Sequence, residues 1–315
     1  MIVMIAELLE SLKISGIYTI KLLAIILPTI FIINFLINLG ILSNISKLLS
    51  PLLKRVNINQ VSTYSFLTCF LSPTVGYTIL ATGYKEGKVN EIEVIGSSLL
   101  NSFPSVFSHL LTFFIPVVIP ILGFVGVIFI LIRLLTSIIK SLIGFIILYK
   151  FSSSENKDFK LEKIDKKKNL RDSLKKTLKF GKRLGIIMFS MITLVTFLSK
   201  VGFFNTFANL VKPITNLLNL SPNVAILALT ETLNVNAAIV MAGEFLRNNL
   251  LTPKEIIIGL IIGNIVSFSS KYIRHSLPLQ TSLFGLRLGT KIVIINALIT
   301  LFLDIIYIVI LLKFF

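Results

Sequence analysis

Tryptophan is absent from the 315 residues, cysteine occurs once (Cys69) and histidine twice (His109 and His275). A single cysteine excludes an internal disulfide. Two histidines and one cysteine, far apart, make no spaced metal motif. No Gly-rich loop ends in Lys-Ser or Lys-Thr, so the chain does not hydrolyse ATP by itself. No Ser or Cys nucleophile stands in a recognisable signature. The sequence therefore predicts no enzyme, no metal and no cofactor. Acidic residues are also scarce, 14 Asp and Glu against 31 Lys and Arg.

Hydrophobic residues make up 55% and charged residues 14%, with a mean hydropathy of +0.92. Soluble domains of this length do not have that balance. Uncharged runs cover 22–46, 56–84, 94–132, 184–199 and 256–270. Several exceed the roughly 20 residues that a helix needs to cross a bilayer. Only helices and closed barrels satisfy their backbone in lipid, and the runs have helical length. The expectation is an all-α integral membrane protein, multi-pass in the cell membrane, with the lipid bilayer as its first partner. The net charge of +17 does not point to nucleic acid, because it lies between apolar spans, where Lys and Arg mark the cytoplasmic side.

The chain repeats itself. At an offset of 162, residues 173–234 overlie 11–72 without a gap. Gly40, Pro51, Asn57 and Thr68 fall on Gly202, Pro213, Asn219 and Thr230. Duplicated membrane segments are the usual build of transporters, with the substrate site between the halves. The first hydrophobic stretch belongs to the repeat and reads as a retained span rather than a signal peptide. The domains are a first membrane repeat, 1–150, a linker, 151–182, and a second repeat, 183–315. The segment 151–183 carries twelve Lys/Arg and five Asp/Glu and reads as a basic cytoplasmic tether.

Each half has a spanning helix, near 17–42 and 183–203, then an amphipathic piece broken by Pro51 or Pro213. A segment with a polar middle follows, at 59–84 and 221–246. Two long helices close each half, 90–113 with 121–150, then 254–275 with about 287–313. The polar middles decide the topology. If they span, about ten basic residues outside the linker face in and about nine face out. If they are re-entrant hairpins, twelve face in, Arg133 and Lys140 among them, and seven face out. The second count favours two inverted repeats with about six spanning helices and two re-entrant hairpins, broken near Ser72-Pro73 and near Glu231–Asn236.

Charges within the membrane are costly and usually functional. Glu231 lies in the polar middle of the second hairpin, among Thr230, Thr232, Asn234 and Asn236. The other hairpin offers Thr68, Ser72 and Thr74. Asn101 and Asn264 hold like places in the following helices. Together these ten residues are the candidate site for a small polar solute or a coupling ion. The plainer readings are a Glu231 that ties a broken segment together, and Asn, Ser and Thr that only pack helices. His109, deep in its helix, either binds a proton or ligand or is simply packed. Asp304, mid-span in the last helix, has no partner that the sequence names.

The stretches Leu71–Gly76 with Gly96–Asn101, and Thr230–Thr232 with Gly259–Asn264, complete a pattern. It resembles the Gate, or nucleoside-recognition, domain of concentrative nucleoside transporters, spore-maturation membrane proteins and the membrane part of the ferrous-iron transporter. The domain would occur twice, over about 11–112 and 173–276. The resemblance implies secondary transport or permeation of a small polar solute, nucleosides being one class. A non-transporting membrane assembly or maturation component is the alternative. Self-association is left open.

Overall fold

Long apolar runs have few options in lipid, and a helix that bonds its own backbone is the simplest. A computed structural model of the protein describes residues 2–38, 58–151, 170–202, 220–266 and 276–314. Every regular element among them is a helix. Five stretches are long and apolar enough to cross a membrane: Met4–Ile32, Glu91–Leu122, Phe124–Phe151, Thr177–Leu198 and Leu277–Lys313. The span expected at 254–275 begins as the helix Pro253–Val266, and its remainder lies outside the described residues. The pieces around Pro51 and Pro213 lie outside them as well.

The first half comprises α1 (Ile2–Asn38), α2 (Gln60–Cys69), α3 (Pro73–Lys85), α4 (Glu91–Leu100) and α5 (Ser102–His109). A π-helical stretch with Pro116 inside it, Leu110–Val118, follows, then α6 (Ile119–Leu122) and α7 (Phe124–Phe151). The second half comprises α8 (Leu170–Lys200), α9 (Asn223–Leu233), α10 (Val235–Arg247), α11 (Pro253–Val266) and α12 (Leu277–Phe314). Two helices start earlier than the sequence predicts. α1 is helical from Ile2, because apolar residues continue on either side of Glu7 and Glu10. α8 takes in residues 170–182 of the basic segment, since Lys, Arg and Leu are good helix formers.

The offset of 162 recurs in the backbone. α3 and α10 share their bounds at that offset to the residue. The residues before them, Ser72 (φ −157°, ψ 109°) and Asn234 (φ −159°, ψ 114°), break the chain in the same way. Gly87 (φ 67°) is matched by Asn249 (φ 54°), the only non-glycine with positive φ among the described residues. Gly123 (φ 56°) is matched by Gly285 (φ 79°). Asn90–Glu93 forms a capping box at the start of α4, and Thr252–Glu255 bonds alike at the start of α11. Sequence matching stops at residues 72 and 234, but the backbone carries the correspondence on to 123 and 285.

Like-placed helices pack antiparallel. Gly181 and Gly185 of α8 lie against Leu27 and Leu23 of α1, and Lys200 pairs with Glu7 and Glu10 at the other end. On α7 and α12, Arg133 meets Asp304 while Lys140, further along, meets Thr300. The core joins both halves through Ile26, Leu184, Met188, Leu227, Phe245 and Leu260.

Candidate functional site

Each polar segment folds back on itself as a helical hairpin, α2 on α3 and α9 on α10. In the first, Gly76 passes so close to Cys69 that a Cβ would meet its sulfur. Ser65 Oγ donates to the Gly76 carbonyl at 2.8 Å across the pair. In the second, Thr230 Oγ1 lies 3.2 Å from Met241 Sδ. The breaks fall where the sequence places them, after Cys69 and at Asn234. The Asn234 side chain accepts from the Asn236 and Ala237 amides at 2.9 and 3.2 Å. Ser72 caps α3 more weakly, at 3.5 Å from the Val75 amide.

The hairpin tips border two cavities. One, of about 620 Å³, lies between Pro73 and Tyr77 of the first hairpin, α5, α7 and α12. The other, of about 490 Å³, is bordered by Val235 and Asn236 of the second hairpin with α1 and α8. His109 lines both. A packed His109, the plainer expectation, is not what the fold shows: the residue is exposed, at the joint between α5 and the π-helical stretch. Such stretches, rare in helical proteins, are frequent at functional sites.

The ten candidate residues do not form one cluster. Asn236 lines the smaller of these two cavities, while Ser72 and Thr74 flank Pro73, which lines the larger. Asn101, fully buried, donates from Nδ2 to Ser65 Oγ at 2.8 Å and so ties α4 to the first hairpin. Thr230 and Thr232 return their hydroxyls to carbonyls of their own helix, Ile226 and Ala228. Thr68 is buried, and its carbonyl accepts the Leu71 and Ser72 amides. Glu231, 2% exposed, is wedged against Gly263, where a Cβ would come within 2.6 Å of Oε2. Glu231 thus fills the groove between α9 and α11. Asn101 holds the like position to Gly263 in the first half, and there the polar link is made from the opposite helix.

Asn264 leads to a second polar region. Its Nδ2 donates to Asp304 Oδ2 at 2.5 Å, and Arg133 Nη1 lies 3.7 Å from Asp304 Oδ1. Asp304, unpartnered in the sequence, thereby gains two partners from two other helices. Next to it Lys140 Nζ donates to Thr300 Oγ1 at 3.3 Å, and Thr136 Oγ1 lies 3.4 Å from the Tyr307 hydroxyl. These residues form a polar seam between α7 and α12. Arg133 and Lys140 therefore leave the topology count, since both are turned into the fold rather than towards the cytoplasm. The corrected count is ten inside against seven outside.

Residues missed by sequence reading, Lys140, Gln280, Asn296 and Tyr77, line the larger cavity. Part of the signal was present. Arg133, Thr136, Lys140 and Ser141 share one helical face, as do Asn296, Thr300, Asp304 and Tyr307. Polar stripes at that spacing in apolar helices mark buried contacts rather than loop charges.

A family profile described as Gate, nucleoside recognition, matches residues 19–125. The uncharacterized protein MJ0871 of Methanocaldococcus jannaschii is 58% identical over 304 residues, covering 96% of this chain and 95% of that one. The chain belongs to the Gate family. Two further relatives in that organism, the uncharacterized proteins MJ0880 and MJ1556, are 29% and 27% identical and also match nearly end to end, over 91% and 98% of this chain and 94% and 99% of theirs. No solved structure matches. The Gate profile falls on the first half, so the second Gate-like unit rests on the backbone repeat.

Proposed function

We propose that this Gate protein is a secondary transporter or permease for a small polar solute, nucleoside-like or ionic, and acts in the cell membrane. One observation carries the reading. Two broken hairpins at like positions open by their tips onto two cavities, and His109 borders both. Broken helices at repeat interfaces are how transporters present backbone groups and helix ends to a solute. The antiparallel packing of α1 on α8, and of α7 on α12, supports inverted halves. Coupling to a proton or cation would act through Glu231 from the groove between α9 and α11, since Glu231 lines neither cavity.

The alternative, a non-transporting assembly component, draws support from the unequal tips, Cys69 in one half and Glu231 at the matching place in the other. Uptake into proteoliposomes separates the two. Vesicles holding the protein should accumulate a labelled nucleoside, amino acid or small organic acid faster than empty vesicles. Glu231→Gln should keep the fold and alter the pH or sodium dependence of uptake. No uptake above empty vesicles for any of the three classes would favour the assembly reading.

A further inference from the structure

The larger cavity has a chemistry of its own. Lys140 lines it and is 8% exposed. An ammonium carries three donors, and among the described residues Lys140 bonds only Thr300. The neighbouring anion, Asp304, is engaged by Arg133 and Asn264. No Asp or Glu is among the described lining residues. Gln280, 6% exposed, lines the same cavity, and its Oε1 accepts no hydrogen bond from any described residue. The turn at Gly285 puts it there, folding Gln280 back against Gly289. A buried ammonium with spare donors and a buried unsatisfied amide oxygen are each costly unless a further group completes them. The first asks for an anion or strong acceptor, the second for a donor.

We propose that this cavity binds a small organic anion, with its anionic group on Lys140 Nζ and a hydrogen-bond donor of the same molecule on Gln280 Oε1. This rests on the transporter reading and narrows it to a solute class. The volume of about 620 Å³ lies in the range of small-molecule sites. A neutral solute of the same shape offers the ammonium no anion beyond Asp304, which Arg133 and Asn264 already engage. The site belongs to the first half and α12 alone, because the residue matching Lys140 at the offset of 162 is Phe302, which is exposed.

The test uses the full-length protein in detergent and reads thermal stabilisation, which rises with ligand occupancy. The probes are two pairs that differ in charge, uridine with uridine monophosphate and lactamide with lactate, plus inorganic phosphate. A charged member should stabilise at concentrations about tenfold lower than its neutral partner, the usual worth of a hydrogen bond to a charged group. Lys140→Gln should erase that preference, Lys140→Arg should retain most of it, and Gln280→Leu should weaken the charged member. Equal action of both members in each pair, no stabilisation by any probe, or a preference that survives Lys140→Gln would overturn the proposal. Phosphate acting as well as the organic anions and equally well on Gln280→Leu would also overturn it, because Gln280 would then have no part. If uridine is bound and taken up by vesicles independently of Lys140, the anion site fails while transport stands. If an anion binds through Lys140 yet none enters vesicles, the site stands and transport fails.

Discussion

At the residue scale, Glu231 and Gly263 act as one unit. A Cβ on Gly263 would lie 2.6 Å from Glu231 Oε2, 2.7 Å from its Cβ and 3.0 Å from the Ala228 carbonyl. Overpacking of that kind costs about 1–3 kcal/mol. Gly263→Ala should therefore lower the melting temperature, and Glu231→Ala should relieve part of the loss, since it removes the Oε2 contact while the Cβ and Ala228 carbonyl contacts remain. A double-mutant cycle measures the coupling. Additive losses would show that Glu231 is not the wedge that the geometry describes. Leu227, fully buried on the same helix, suits use as a packing control.

At the element scale, both hairpins depend on how the second helix starts. Asn234 accepts two amides at the head of α10, while Ser72 holds one long contact at the head of α3. Loss of a good N-cap costs about 1 kcal/mol, and a 3.5 Å contact contributes little. Asn234→Ala should thus destabilise clearly more than Ser72→Ala in thermal unfolding. Equal losses would mean that the hairpin breaks are held by packing and not by their caps. Packing is closer in the first hairpin, where Gly76 admits Cys69 and the Ser65 carbonyl at a distance no side chain would allow.

At the scale of the whole molecule, the antiparallel packing of α7 on α12 sets a topological expectation. Equivalent helices that run in opposite directions through one membrane place equivalent ends on opposite sides. Lys150, near the end of α7, and Lys313, near the end of α12, should therefore face different compartments, with Lys150 on the side expected to be cytoplasmic. Single cysteines at these positions in a Cys69→Ser background, labelled from one side at a time, test this. Labelling of both from the same side would exclude inverted halves.

The membrane class, the helical content, the repeat and the two hairpin breaks are legible in the sequence because they rest on local chemistry. Apolar runs, proline after serine, and an Asn that caps its own following turn act within a few residues. The sequence also exposes Asp304 and Glu231 as misfits among apolar neighbours. It does not say what they touch. Gly263 opposite Glu231, and Arg133 opposite Asp304, are contacts between helices far apart in the chain. The larger cavity is more remote still, since the Gly285 turn and the antiparallel packing of α7 on α12 together bring Lys140, Gln280 and His109 to one space. A charge count by position treats Arg133 and Lys140 as topology signals, but only the packing of helices decides whether a lysine in a span meets water or another side chain.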